Sequence, residues 1–260
     1  MADRTRPIIL VTNDDGITAP GIRNLVEAVK PLGEVIVVAP DSPQSAKGHA
    51  ITISEPIRLH KVEVFEGIES YECSGTPVDC VKLAKQVILH DRKPDLCVSG
   101  INHGSNAGIN ILYSGTMSAA MEASLEGVDS VGFSLLDYSF DADFTASAHF
   151  ARLIAQDVLA NGLPDCKLLN VNIPNLPLDQ IKGIRICHQA DAQWEEEFHE
   201  ATDPRGVRYF WLTGDFNNTD THPRADINAL EAGYISVVPS GHDLTLYPAI
   251  EGLAGRFEQR

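Results

Sequence analysis

The sequence predicts an α/β fold in which a mostly parallel sheet is covered by helices on both faces. Between residues 8 and 173, short continuous apolar runs suited to strands buried on both sides alternate with segments of helical spacing. The predicted strands also run into polar, glycine-containing loops, the places where open parallel sheets carry their ligand sites. A length of 260 residues with 43% hydrophobic and 22% charged residues suits a globular protein with a sizeable core.

Residues 8–12 (IILVT) form the first apolar run, 13–16 (NDDG) a turn, and Ile22, Leu25, Val26, Val29 and Leu32 recur at helical spacing. Residues 35–39 (VIVVA) read as the second buried strand, followed by a polar loop over 42–49. The alternating, β-branched stretch 50–73 predicts a hairpin or an irregular β insertion. Thr76-Pro77-Val78-Asp79 has a hydroxyl at N-cap, proline at N1 and a carboxylate at N3, a capping-box opening for the helix marked by Val81, Ala84, Val87 and Ile88. Residues 96–99 predict a third strand, 114–127 a helix, 130–135 a fourth strand, 144–159 a helix and 168–173 another strand.

After residue 183 the texture changes to aromatic and β-branched segments among Pro, Gly, Asn and Asp. Residues 191–226 hold nine acids against three basic residues and read as an excursion from the core. Residues 233–239 (GYISVVP) read as a strand returning to it, and a short helix begins at Pro248.

With 36 Asp and Glu against 20 Lys and Arg, the chain carries a formal charge of −16. It offers no basic stripe for a nucleic-acid polymer or an anionic membrane. Five widely spaced cysteines without a CxxC pair suit small buried residues in a reducing compartment. Neither a secretory leader nor a membrane-length apolar run is visible, so a soluble cytoplasmic protein is expected.

Three strand-following loops and one helix start are candidates for chemistry. Asp14 and Asp15 place two adjacent carboxylates after a buried strand, which either bind a divalent cation or serve as a helix cap and a solvated acid. The loop 42–49 brings together Ser42, Ser45, Lys47 and His49, a weak signal by itself. Residues 99–108 combine Asn102 and Asn106 with glycines that let backbone approach a ligand. Ser114-Gly115-Thr116 opens a helix of small residues, either as a plain N-cap or as a phosphate cradle of free amides and hydroxyls. The Walker A lysine, GxGxxG and GxSxG are all absent, which disfavours ATPase, dinucleotide-binding and α/β-hydrolase readings. Oxygen ligands point to Mg²⁺ or Mn²⁺, and a cation beside a phosphate cradle points to phosphoryl hydrolysis.

Eight segments in order, ILVTNDDGITAPGI, VVAPDSPQSAKGHAIT, SGTPVDCV, PDLCVSGINHGSNAG, YSGTMSAAMEA, LNVNIPNLPLDQIKGI, DPRGVRYFW and EAGYISVVPSGHDLT, closely resemble the survival-protein SurE family of metal-dependent nucleotidases. The resemblance implies a Rossmann-like core with a protruding β-hairpin arm and a C-terminal segment used in oligomerisation. A single domain over 1–260 follows from it, with the core at about 1–185 and 230–247, the arm at about 186–229 and the C-terminal helix at about 248–260. It implies one divalent cation, on Asp14, Asp15, Ser45 and Asn102, and a phosphate held by Asn106, Ser114, Gly115 and Thr116. Asp14 and Asp15 would also act in catalysis by orienting the attacking water. The implied activity is hydrolysis of nucleoside 5′-monophosphates, and of 3′-monophosphates, by a homodimer or homotetramer. A polyphosphate or general phosphomonoester hydrolase and a non-catalytic nucleotide sensor are the alternatives.

Overall fold

The computed structural model describes residues 6–90, 92–139 and 141–258. The first five residues of the predicted core and the last two of the predicted C-terminal helix lie outside them. In chain order the structure runs β1 (Ile8–Thr12), α1 (Pro20–Val29), β2 (Glu34–Pro40), β3 (Leu59–Val62), β4 (Glu69–Cys73), α2 (Pro77–Leu83), β5 (Leu96–His103) and α3 (Gly115–Leu125). It continues through β6 (Asp129–Leu135), α4 (Thr145–Asn161), β7 (Leu168–Ile173), β8 (Ile184–Ile186), β9 (Ala192–Thr202), β10 (Arg208–Asn218), α5 (Asp226–Glu231), β11 (Ile235–Ser240) and α6 (Ile250–Phe257).

The main sheet has the order β3-β4-β2-β1-β5-β6-β7-β11-β8. All neighbours from β4 to β7 are parallel, whereas β3 and β11 enter antiparallel to β4 and β7. The two-residue period of the strands divides their apolar side chains between two cores. Ile9, Val11, Val37 and Val98 face the layer that includes Leu25 of α1 and Ala151 of α4. Leu10, Ile36, Val38 and Cys97 face the layer that includes Val81 of α2 and Ala119 of α3. Both faces are thus covered, which is why these strands read as continuous apolar runs. Phe133 on β6 is fully buried, and truncating such a ring to alanine costs about 3–5 kcal/mol.

The predicted capping box is present. Asp79 N–H donates to Thr76 Oγ1 (3.2 Å), and Thr76 N–H donates to the Asp79 carboxylate (2.9 Å). The stretch 50–73 resolves into the antiparallel pair β3–β4. One boundary departs from expectation: β5 runs past Ser99 to His103, because its pairing with β6 resumes at Asn102↔Ser134 after an irregularity. Asn102 therefore stands at the end of a strand rather than in a free loop. All five cysteines are free thiols, and four are buried.

From β1 the chain proceeds outward through β2 to β4, then crosses back to place β5 on the other side of β1. The order of strands reverses between β1 and β5, a topological switch point, the place where open parallel sheets carry their ligand crevice. Beyond the sheet, β9 and β10 form a separate two-stranded antiparallel hairpin of eleven paired positions. No helix among the described residues is long and apolar enough to cross a membrane.

Candidate active site

The crevice at the switch point is built from the three loops and one helix start singled out in the sequence. Asp14, one residue beyond the NDDG turn's opening Asn13, is 6% exposed. Its Oδ1 accepts a hydrogen bond from the Thr116 hydroxyl at the start of α3. Gly115 makes this approach possible, because a Cβ there would lie 2.7 Å from Asp14 Cβ and 2.9 Å from its Oδ2. Only a residue without a side chain lets the carboxylate settle against the helix end, where the dipole favours negative charge.

The environment still strains that charge. Burial first, and then the neighbouring Asp15, push the Asp14 carboxyl up to about 6, against a weaker downward pull from its hydrogen bonds to Thr116. Asp15 is raised by burial as well, partly offset by His103, whose backbone N–H reaches its Oδ2 at 3.4 Å. Among the described residues no lysine or arginine pairs with either acid. Two adjacent half-buried or buried carboxylates without a basic partner fit a bound cation.

The donor chemistry narrows which cation fits. No three His, Cys, Asp or Glu side chains converge among the described residues, so a ligand set rich in thiolate or imidazole is not on offer. What surrounds the acids is amide and hydroxyl oxygen, which suits a hard ion such as Mg²⁺ or Mn²⁺.

The other predicted residues fall around this pair with differing degrees of engagement. Asn102 spends its Nδ2 on the carbonyls of His103 (3.2 Å) and Gly104 (3.0 Å), and its amide oxygen meets no donor among the described residues. The loop after β2 is tied down on both sides of Ser45. Gln44 N–H donates to the Asp14 carbonyl (2.7 Å), and Gly48 N–H donates to the Tyr113 carbonyl (3.2 Å). Ser45 itself is exposed and bonds to none of the other site residues. Ser114 accepts from Met117 N–H (3.0 Å) and is therefore a true N-cap, with its hydroxyl proton still available. The cap and cradle readings are compatible, since an N-cap oxygen accepts while its proton can point elsewhere.

Asn106 is buried and held by residues that sequence reasoning did not single out. Its backbone N–H donates to Asn172 Oδ1 (2.8 Å), its carbonyl accepts from Asn170 Nδ2 (2.9 Å), and its own Nδ2 donates to Ser134 Oγ (2.8 Å). Asn172 Nδ2 in turn donates to Asn170 Oδ1 (2.9 Å), which closes a network linking β6, β7 and the loop after β5. The signal lay in LLNVNI, where two Asn at alternate positions mark one face of an otherwise apolar strand. His49, in the loop after β2, has its Nε2 3.0 Å from the buried Glu122 of α3, which also binds Lys82. That buried acid is visible only in three dimensions.

Comparison with known proteins bears on the same residues. A family model described as survival protein SurE matches residues 9–196. A 5′-nucleotidase SurE of Christiangramia forsetii is 59% identical over 254 residues, covering 97% of each chain. One from Flavobacterium psychrophilum is 55% identical over 250 residues, covering 96% of this chain and 97% of that one. Among solved structures, the SurE protein from Aquifex aeolicus superposes with a TM-score of 0.84 at 39% identity, over 96% of this chain and 99% of that chain.

Proposed function

The chain belongs to the SurE family, and from that premise we propose that it is a phosphoric monoester hydrolase. It cleaves nucleoside 5′-monophosphates, and 3′-monophosphates as well, to nucleoside and phosphate with one divalent cation. The observation that carries this reading is the meeting of the Asp14 carboxylate with the N-terminus of α3, where Thr116 bonds to it and Gly115 makes room for it. A cation-binding acid and an anion-binding helix end then lie within one side chain's reach of each other.

Asp14, Asp15, Ser45 and Asn102 would hold the cation, Mg²⁺ or Mn²⁺. Bound there, such an ion polarises a phosphoryl oxygen and lowers the pKa of a water. The chain's own residues supply the rest. The Ser114 hydroxyl and the first amides of α3, at Gly115 and Thr116, receive the phosphate oxygens, with the remaining Nδ2 proton of Asn106. Asp14 and Asp15 orient the attacking water; its oxygen bonds to phosphorus and gives up a proton as the ester P–O bond breaks, and the departing ribose oxygen takes up a proton.

We further infer a single domain working in the cytoplasm as a homodimer or homotetramer. Support for assembly comes from the arm and from α6 with the turn before it, where Leu246, Tyr247, Ile250, Leu253 and Phe257 leave apolar side chains in solvent.

Purified protein with Mn²⁺ or Mg²⁺ should release phosphate from AMP and GMP, and EDTA should abolish release. Turnover that survives chelation would remove the cation from the reaction. Preference for short polyphosphate in the same panel would replace the nucleotide substrate, and ligand-dependent stabilisation without phosphate release would make the protein a sensor.

A further inference from the structure

We propose that Asp226, a carboxylate in the return from the hairpin arm, is a positioning residue that clamps the connection between β5 and α3 and so couples the root of the arm to the active site. The clamp rests on geometry alone, whereas its effect on turnover rests on the hydrolase reading above.

By sequence, Asp226 is one of the nine acids of an excursion from the core. In the structure it is fully buried. Its Oδ2 accepts from Gly108 N–H (2.9 Å), and its Oδ1 accepts from Ala190 N–H (3.0 Å) and Ile227 N–H (2.8 Å). Among the described residues no basic side chain pairs with it. A buried carboxylate is tolerated only where several donors replace its water. Here the donors are backbone amides from separate stretches of chain, so the acid joins them.

Gly108 follows Asn106 by two residues and precedes Ser114 by six. It has φ +57°, and a Cβ there would come within 3.2 Å of Ile227 Cδ1 and 3.3 Å of Phe216 Cζ. A second contact lies two residues on, where Trp194 Nε1–H donates to Asn110 Oδ1 at 2.8 Å. The connection is therefore gripped from both sides. Asn170 and Asn172 hold it to the sheet at Asn106, while Asp226 and Trp194 hold it to the arm at Gly108 and Asn110. Asn102 lies before this grip, Asn106 within it and Ser114 to Thr116 after it, so the two halves of the site are joined by one clamped segment.

Asp226→Asn keeps the shape but replaces one acceptor oxygen with an NH₂ group, which faces an amide N–H it cannot bond. In the full-length protein, amide hydrogen exchange over residues 103–113 should then quicken by about tenfold or more, while β1 keeps its wild-type rate. Mn²⁺ binding, read by the EPR signal of free Mn²⁺, should weaken by about fivefold or more, and kcat for AMP should fall by a similar factor. Leu89→Ala, a core truncation in the layer of α2 and α3 outside the clamped connection, is the control. It should lower Tm yet leave exchange over 103–113, Mn²⁺ affinity and kcat as they were.

Wild-type exchange over 103–113 in Asp226→Asn overturns the clamp, as does equal loosening in Leu89→Ala. Faster exchange with unchanged Mn²⁺ affinity and kcat overturns the coupling to the site. A wild-type protein that releases no phosphate from nucleotides refutes the hydrolase reading instead, and the exchange data still judge the clamp. If Asp226→Asn does not fold, Asn110→Ala, which removes the Trp194 contact, should quicken exchange in the same segment by a smaller factor, and wild-type rates there would overturn the proposal.

Discussion

At the carboxyl edge of the sheet, Asp14, Asn106, Ser114 and Thr116 are polar groups held almost entirely out of solvent. In the arm the distribution is inverted: Trp194, Phe198, Phe210, Trp211 and Leu212 stand exposed on β9 and β10. Buried polar groups and exposed large apolar patches are the two informative departures from ordinary packing. Here each region bears the cost that the other avoids. The crevice holds strained carboxylates, which the proposed cation would relieve, while the arm leaves apolar rings in water, which the proposed assembly would cover. Apart from Asp226 and its neighbours at the root, the two regions keep their costs separate.

The sharpest way to break that contrast is Asp14→Asn. Turnover should fall by about a hundredfold or more, because an amide neither holds a cation well nor orients the water as a carboxylate does. Stability should move the other way. The Asp14 carboxyl holds its proton up to about pH 6 in the fold but only to about its ordinary 3.8 when unfolded. In metal-free protein its contribution to stability is therefore greatest below that window and declines as pH rises through it. Above pH 6 the full penalty stands, on the order of 2–3 kcal/mol. The metal-free variant should thus be more stable than wild type at pH 7, with the difference closing towards pH 4, as read by denaturant titration at each pH. A variant less stable than wild type at pH 7 would mean that the crevice is not strained.

Gly115→Ala tests the close approach directly. The added Cβ must displace Asp14 or the start of α3, since the two would otherwise sit 2.7 Å apart. Turnover and Mn²⁺ affinity should each fall by about tenfold, because small displacements of a reacting group are costly. Unchanged kinetics would show that Asp14 has room to move.

The smallest effect on turnover is expected from the arm. Phe210→Ser with Trp211→Ser removes two exposed rings, 52% and 63% accessible, that the monomer fold does not need. Analytical ultracentrifugation should show a smaller assembly, with Tm of the dissociated chain close to that of wild type and kcat within about threefold. An unchanged sedimentation coefficient would remove these rings from any interface.

Much of this was legible because it is local. Strand and helix alternation, the Thr76 to Asp79 capping box and the buried apolar runs follow from periodicity and cap chemistry within a few residues. The loops at Asp14 and Asn102 were found because parallel sheets place ligands at strand ends, and Asn102 shifted only from loop to strand terminus. Asn170, Asn172, Glu122 and Asp226 acquire their roles only in the fold, because each has its partners in a distant segment of the chain: Asn106, His49 and Gly108.

By itself, then, the sequence determined the class of fold, the oxygen-rich loops and the acidity that makes a cation a natural ligand, since these depend on composition and on neighbours along the chain. Only the tertiary structure decided which carboxylates are costly. Asp14 is strained because it is buried beside Asp15, whereas Asp226 is buried among three backbone amides gathered from different segments. Desolvation and hydrogen bonding act through distance in space, and the sequence order does not encode that distance.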